Sequence, residues 1–360
     1  MVPMPAQHRL LALVVAVLWG LNFLAIDAAL AQFPPLFLVA VRFALIAVPT
    51  LLFVRPPQVP WRWVLGYGLG FGVAQFAFLF LAMTLGMPPG LASLVLQASA
   101  PFTVLLGVLL TREHLGARAG LGVAVAVVGL GVVGLHRAEN ASLLPFLLTL
   151  LGALGWAFGN LCARQARSSE PLRLVLWMSV VPPLPALVLS LLVEGPDRIS
   201  ASLHGLGTTT GVHALLGLAY TVVLGTLVGS AIWSWLMAQH PAGSVAPFSM
   251  LVPVVGMSAA ALVLGERAAL AEVSGALLVV GGVLAATWSP RRGRGAVEEV
   301  SGRDAEQETD QEPDVVGAVG AGDAGGAGAG DAGLDARDAP DTPDVRGARR
   351  DAPRGSSPVP

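Results

Sequence analysis

Residues 10–22 read LLALVVAVLWGLN, and residues 147–160 read LLTLLGALGWAFGN. Each is an apolar run that closes on a tryptophan followed within one helical turn by an asparagine: Trp19 and Asn22, then Trp156 and Asn160. The tryptophans are 137 residues apart. Later in each half a proline-bearing run leads to a glutamate, Pro101 to Glu113 and then Pro253 to Glu266. These prolines are 152 residues apart, so the second half has gained about 15 residues, which the segment Glu194–Thr210 is long enough to hold. Each half contains five apolar runs of membrane length. An odd number of crossings turns the second copy upside down in the bilayer, an arrangement that secondary transporters use to place a site between their repeats.

Working outward, the whole chain has the same character. Hydrophobic residues make up 54% and charged residues 12% of 360, with a mean hydropathy of +0.71. A soluble domain carries about twice that charged fraction, and ten apolar runs within 280 residues leave too little polar surface for a soluble helical protein. The expected spans are 10–31, 36–54, 63–85, 91–110, 117–135, 142–162, 172–193, 211–236, 242–263 and 271–288. The fold class is therefore an all-α membrane protein of ten transmembrane helices, built as two inverted five-helix repeats. The expected domains are 1–141, 142–289 and a tail, 290–360. The first run is a full span with no small-residue cleavage site behind it, so it reads as a span and not as a signal peptide.

All 21 basic residues are arginine. The net charge of −2 averages two unlike parts: residues 1–289 hold 12 Arg against 8 acidic residues, and residues 290–360 hold 9 against 15. On the side of the N-terminus lie ten arginines of the spans' flanks, and the opposite side has three, Arg137, Arg198 and Arg267. By the positive-inside rule both termini are expected in the cytoplasm. In the tail, glycine, alanine and aspartate recur without hydrophobic periodicity, so it is expected to be disordered. Cys162 is the sole cysteine, which rules out an internal disulfide framework and a cysteine-based metal site.

Small residues at four-residue spacing (Gly66/Gly70, Gly68/Gly72, Gly116/Gly120, Gly155/Gly159, Gly225/Gly229) read as helix-packing surfaces. Pro49, Pro101, Pro182, Pro183, Pro185, Pro247 and Pro253 fall within spans. Pro101 and Pro253 occupy matching places and are the expected hinges.

Chemistry rests on the few polar residues inside the spans. An ionisable group near the bilayer centre costs at least ~2.5–3.5 kcal/mol, so each needs a reason. Arg42, in LVAVRFALI, has two readings: a cationic anchor for a substrate carboxylate, or a structural arginine paired with Asp27 or a backbone carbonyl, or snorkelling to the interface. Asp27, at the end of span 1, reads as a hydrated interfacial acid or a group titrating in proton coupling. Asn22, Gln75, Gln97 and Asn160 read singly as interhelical hydrogen-bonding groups, and as a set line a polar path for an amino-acid-sized solute. Trp19 and Trp156 read as the wall of that path, or as core or interface anchors. Glu113 and Glu266 sit at span ends, where a structural role is expected. The six histidines are scattered and mostly in loops. There is no HExxH, no GxSxG, no phosphate loop and no Cys/His cluster, so neither an enzyme, a cofactor nor a metal is expected.

WGLNF (Trp19–Phe23), PPLFL and RF (between Pro34 and Phe43), GYGL (Gly66–Leu69), AQFAFLF (Ala74–Phe80), GMPPGLASLVLQA (Gly86–Ala98) and LVPVVG (Leu251–Gly256) before GER (Gly265–Arg267) together resemble the EamA family of the drug/metabolite transporter superfamily. Within it the chain is most similar to exporters of O-acetylserine and cysteine. The resemblance covers residues 8–288 and implies an inner-membrane exporter of small amino-acid-like metabolites. Two positions depart from the family: Asp27 stands where members often carry a basic residue, and TREHL (Thr111–Leu115) where they usually carry Gly-Glu-Arg. The expectation is an ion-coupled, alternating-access exporter in the lipid bilayer, using protons, with a small-molecule substrate held by Arg42 and the amide set and no nucleic-acid partner. Drug efflux is the rival reading, and a non-transport membrane protein the third.

Overall fold

The computed structural model describes residues 4–111 and 116–287. Glu113, His114 and the tail expected over 290–360 lie outside them. The described residues are helical, with no strand among them. Ten helices follow one another: α1 (Ala6–Leu30), α2 (Pro35–Phe53), α3 (Trp61–Thr84), α4 (Pro89–Leu110), α5 (Ala117–Asn140), α6 (Leu144–Ala166), α7 (Pro171–Val193), α8 (Thr209–Gln239), α9 (Ala246–Leu264) and α10 (Leu270–Thr287). Nine have the length and composition to cross a bilayer, and α10 is an apolar helix of 18 residues. Such a chain must be helical where it meets lipid, because no water there satisfies an unpaired N–H or C=O.

Helix starts and stops follow local chemistry. Pro35, Pro89 and Pro171 open α2, α4 and α7 at a position whose N–H would be unpaired anyway. Gly265, at φ +70°, ends α9 in the left-handed conformation that glycine adopts without strain. Both prolines expected as hinges adjoin a departure from α geometry. Pro101 and Pro253 sit in the first turns of α-helical stretches that begin at Ser99 and Leu251, each just after a 3-10 segment, Leu96–Ala98 or Ala246–Met250. The outright break is elsewhere, at Ser179–Pro182, which divides α7 into Pro171–Met178 and Pro183–Val193. Proline there removes amide donors from the ladder. α3 and α8 also depart from α geometry, with π-helical turns at Gly68–Gln75 and Thr221–Val228.

The packing repeats itself on exchange of the two halves. α1 lies against α8 and α9, and α6 lies against α3 and α4. Three further pairs join matching helices: α2 with α7, α4 with α9 and α5 with α10. Four of the five glycine pairs expected to pack do so. A Cβ on Gly70 would stand 2.8 Å from Gly155 O, and one on Gly159 2.8 Å from Phe71 Cβ, so α3 and α6 meet backbone to backbone. Gly116 is the exception, with nothing within 4 Å. Large apolar side chains such as Phe43, Phe80, Ile26 and Met178 fill the interior, while leucines such as Leu52, Leu192 and Leu262 face outward as a lipid-facing surface requires.

The helices alternate between a near face, which bears the start of α1, and a far face. The far face is knitted by long-range bonds: Gln32 Nε2 to Ser202 O at 2.8 Å, Gly90 N to Glu266 Oε2 at 3.2 Å, and a carboxylate cap by Glu194 described below. At the near face His8 Nδ1 meets His240 Nε2 at 2.6 Å. The histidines are thus less scattered than the sequence suggests. His8, His136 and His213 lie within helices, and the packing of α1 on α8 brings His8 to His240, the residue just past α8.

Candidate functional site

A cavity of about 380 Å³ lies between the halves, walled by α1–α4 and α6–α9. All seven residues singled out in the sequence border it: Trp19, Asn22, Arg42, Gln75, Gln97, Trp156 and Asn160. The cavity also takes in Phe71, Phe76, Thr226, Trp233 and Ser249, which polarity alone had not marked. Among the described residues, no aspartate or glutamate lines it.

Arg42 dominates the wall. It is 4% exposed, and Nη2 donates to Thr226 Oγ1 at 2.9 Å. Thr226 Oγ1 in turn donates to Thr221 O at 2.9 Å, five residues back across the π-helical turn, which leaves a lone pair aimed at the guanidinium. The guanidinium carbon lies 3.9 Å from the Phe76 ring centroid and 5.3 Å from that of Phe43. Nε and Nη1 have no partner. Arg42 therefore does not pair with Asp27 or with a carbonyl, and it does not reach the interface. Stacking and one neutral hydrogen bond repay only part of the desolvation of a buried cation, so an anion has a place to go.

The two π-helical turns assemble the rest. Trp19 Nε1 donates to Gly225 O at 2.9 Å, and a Cβ on Gly225 would stand 2.6 Å from Asn22 Oδ1. Gly225 thus brings α1 onto α8 one residue away from the threonine that holds Arg42. In the other half Trp156 sits with its ring 5.9 Å from Phe71, and Gln75 immediately precedes the Phe76 that stacks on Arg42. Asn22 Oδ1 and Gln75 Oε1 are both buried without a partner. An acceptor left so costs about 1–3 kcal/mol until something donates to it. The wider π turn recurs at functional sites, and here it occurs in matching helices, 153 residues apart.

The remaining predicted residues are held loosely. Gln97, 5% exposed, reaches Ser249 O at 3.5 Å and Met250 Sδ at 3.6 Å, both near the limit of a hydrogen bond. Asn160 Nδ2 lies 3.4 Å from Thr103 Oγ1. Asp27 is outside the cavity, toward the far face, where its charge is felt by Glu266. Glu266 holds the first turn of α4 through Gly90 N–H, the structural role expected of a glutamate at a span end. Burial pushes its carboxyl above the ordinary 4.5; the Gly90 N–H works against that, and Asp27 and Glu272 add to it.

Known proteins share this design. The profile of the EamA-like transporter family matches residues 9–135 and 143–288, one match per half. The chain belongs to the EamA-like transporter family. It is 41% identical over 286 residues to a protein of Salmonella typhimurium named "Probable amino-acid metabolite efflux pump", covering 78% of this chain and 94% of the relative. A protein of the same name from Escherichia coli K12 matches with the same identity and coverage. One solved crystal structure, described only as that of a protein, superposes with a TM-score of 0.54 over 79% of this chain and 97% of its own. At 20% identity that likeness concerns the fold alone. The EamA-like chain is thus a multi-pass membrane transporter of small molecules and not an enzyme. The cavity lies between its two family-matched halves.

Proposed function

We propose that the chain exports small amino-acid-like metabolites of the cysteine and O-acetylserine class across the inner membrane, by alternating access and in exchange for protons. Its halves, 1–141 and 142–289, act as the two inverted repeats, with both termini and the 290–360 tail in the cytoplasm. The near face is then the cytoplasmic one, in keeping with the arginine count. The cargo's carboxylate is held by Arg42, and its ammonium by the amide oxygens of Asn22 and Gln75. Gln97 and Asn160 line the way, and Trp19 and Trp156 form the wall.

One observation carries this reading: Arg42 is a buried cation with two nitrogens that have no partner among the described residues, on a cavity whose described lining holds no carboxylate. A solute bearing a carboxylate completes it, and neutral oxygens suffice for an ammonium in a zwitterion. A pump for hydrophobic cations needs the reverse, a carboxylate deep in the site, so the drug-efflux reading finds no support in the lining. The names of the relatives from Salmonella and Escherichia point to amino-acid metabolites as well.

Counterflow in proteoliposomes tests the proposal. Vesicles loaded with unlabelled cysteine or O-acetylserine should accumulate the labelled compound from outside, and Arg42→Ala should abolish accumulation while leaving the protein folded. Exchange that persists in Arg42→Ala would reject the anchor. A folded wild-type protein that exchanges neither compound would reject the substrate class.

A further inference from the structure

The crossing of α2 and α7 occurs twice, once at each face, and exchange of the two halves relates one crossing to the other. Pro35 and Leu36 open α2 as Pro171 and Leu172 open α7, and Phe53 and Val193 end the two helices. Val54 therefore holds in α2 the place that Glu194 holds in α7, just past the last helical residue.

The two crossings are not alike. At the far face Glu194 is 7% exposed; its Oε1 accepts from Leu36 N at 2.7 Å and its Oε2 from Phe37 N at 3.0 Å, and Ser190 Oγ donates to Oε2 at 2.6 Å. A carboxylate across two first-turn N–H groups satisfies orphan donors and lies at the positive end of the helix dipole. At the near face Val54 has no such group to offer. A cleft of about 350 Å³ opens among Val54, Glu170, Pro171 and Leu172, and it shares Ser234 with the central cavity. The crossing there is spanned by Trp177 Nε1, which donates to Arg55 O at 2.9 Å.

Between the crossings α7 is broken at Ser179–Pro182, and three prolines, Pro182, Pro183 and Pro185, keep it from closing into one helix. On α3, Gly68 and Gly72 leave the space that Val181 and Pro182 occupy; a Cβ at either would collide with them. Pro183–Val193 is thus a short rod, broken from the rest of α7 at one end, packed along α2 and capped onto its first turn at the other.

We infer that Glu194 is the latch of the far gate: its cap on α2 keeps the cavity shut at that face, and its release lets Pro183–Val193 swing about Ser179–Pro182 and open the far side. The inference rests on the alternating-access reading and on no particular substrate. The two crossings differ because a valine and a glutamate occupy matching places: the far one carries the carboxylate cap, and the near one is joined by the Trp177–Arg55 bond beside its cleft.

The test is thiol accessibility in reconstituted vesicles, with Ala100→Cys on the cavity wall as reporter in a Cys162→Ser background. A membrane-impermeant maleimide is applied to each face in turn. In the parent the near face labels faster. Glu194→Ala should raise the far-face labelling rate about tenfold, the effect of losing a helix cap on a two-state equilibrium. Val54→Glu, which puts a carboxylate at the place matching Glu194 (the nearby Glu170 is paired with Arg173), should slow near-face labelling. Should Glu194→Ala fail to insert, Glu194→Gln, which keeps one acceptor oxygen, and Val54→Glu carry the same comparison. Far-face labelling that stays at the parent rate in a folded Glu194 variant overturns the latch. Counterflow on the same vesicles separates the two readings: labelling that responds without cysteine exchange keeps the latch and removes the substrate, and exchange without a labelling response does the opposite.

Discussion

Thr226 illustrates how little of a site a single residue announces. Its hydroxyl donates to Thr221 O and accepts from Arg42, so it orients the guanidinium without touching a cargo bound on the other nitrogens. Thr226→Val removes the acceptor and keeps the shape. A hydrogen bond to a charged group contributes about 1.5–3 kcal/mol, so we expect the KM for counterflow to rise at least about tenfold in Thr226→Val. Thr226→Ser should restore it, and a serine variant as impaired as the valine would mean that shape and not the bond matters. Arg42, Asn22, Gln75, Gln97 and Asn160 were legible in the sequence because hydrocarbon penalises a polar group that has no protein or water to face. Thr226 was not, since a helical threonine can satisfy itself on a backbone carbonyl and so carries no such signal. Phe76, stacked on the arginine, looks like any core phenylalanine.

Two glycines side by side on α10 behave oppositely. A Cβ on Gly282 would stand 2.5 Å from Ala126 N and 2.6 Å from Gly122 O on α5, whereas Gly281 has nothing within 4 Å. Gly122 and Gly129 on α5 face Gly282 and Gly275 on α10, and the matching members are 153 residues apart, as the π-helical turns are. Gly282→Ala should lower thermal stability in detergent by about 1–3 kcal/mol through overpacking, with Gly281→Ala neutral or slightly stabilising. Equal losses at both sites would show that α5 and α10 do not meet as described. The sequence pointed to glycine pairs four apart; this pair of helices uses a seven-residue spacing, and the partner's own glycines make it work. Within Glu194–Thr210, where the second half was expected to hold its extra residues, a short helix forms at Pro196–Ser202.

For the molecule as a whole, Glu266 ties the end of α9 to the start of α4 and so links the halves at the far face. Burial raises its carboxyl above 4.5 in the folded protein. A carboxyl whose folded pKa is raised contributes stability that is complete below its unfolded value and is lost as pH climbs through the folded one. Glu266→Gln keeps an acceptor for Gly90 and removes the charge. The variant should be more heat-stable than the parent at neutral pH, with the difference shrinking as pH falls toward 4.5. A difference that widens on acidification would reverse the sign assigned here. The sequence by itself determined that the chain is a helical membrane protein with a duplicated plan, since apolar length and repeat spacing are summed along the chain and need no partner. It also marked the polar residues that lipid would not accept. Only the tertiary structure decided what meets Arg42, where the helices bend, and that a carboxylate caps α2 where it meets the end of α7 while a valine holds the matching place at the other face. Those outcomes depend on pairs such as Leu36 and Glu194, 158 residues apart. A carboxylate in a loop and an amide at a helix start read as ordinary residues until packing puts one within hydrogen-bond reach of the other.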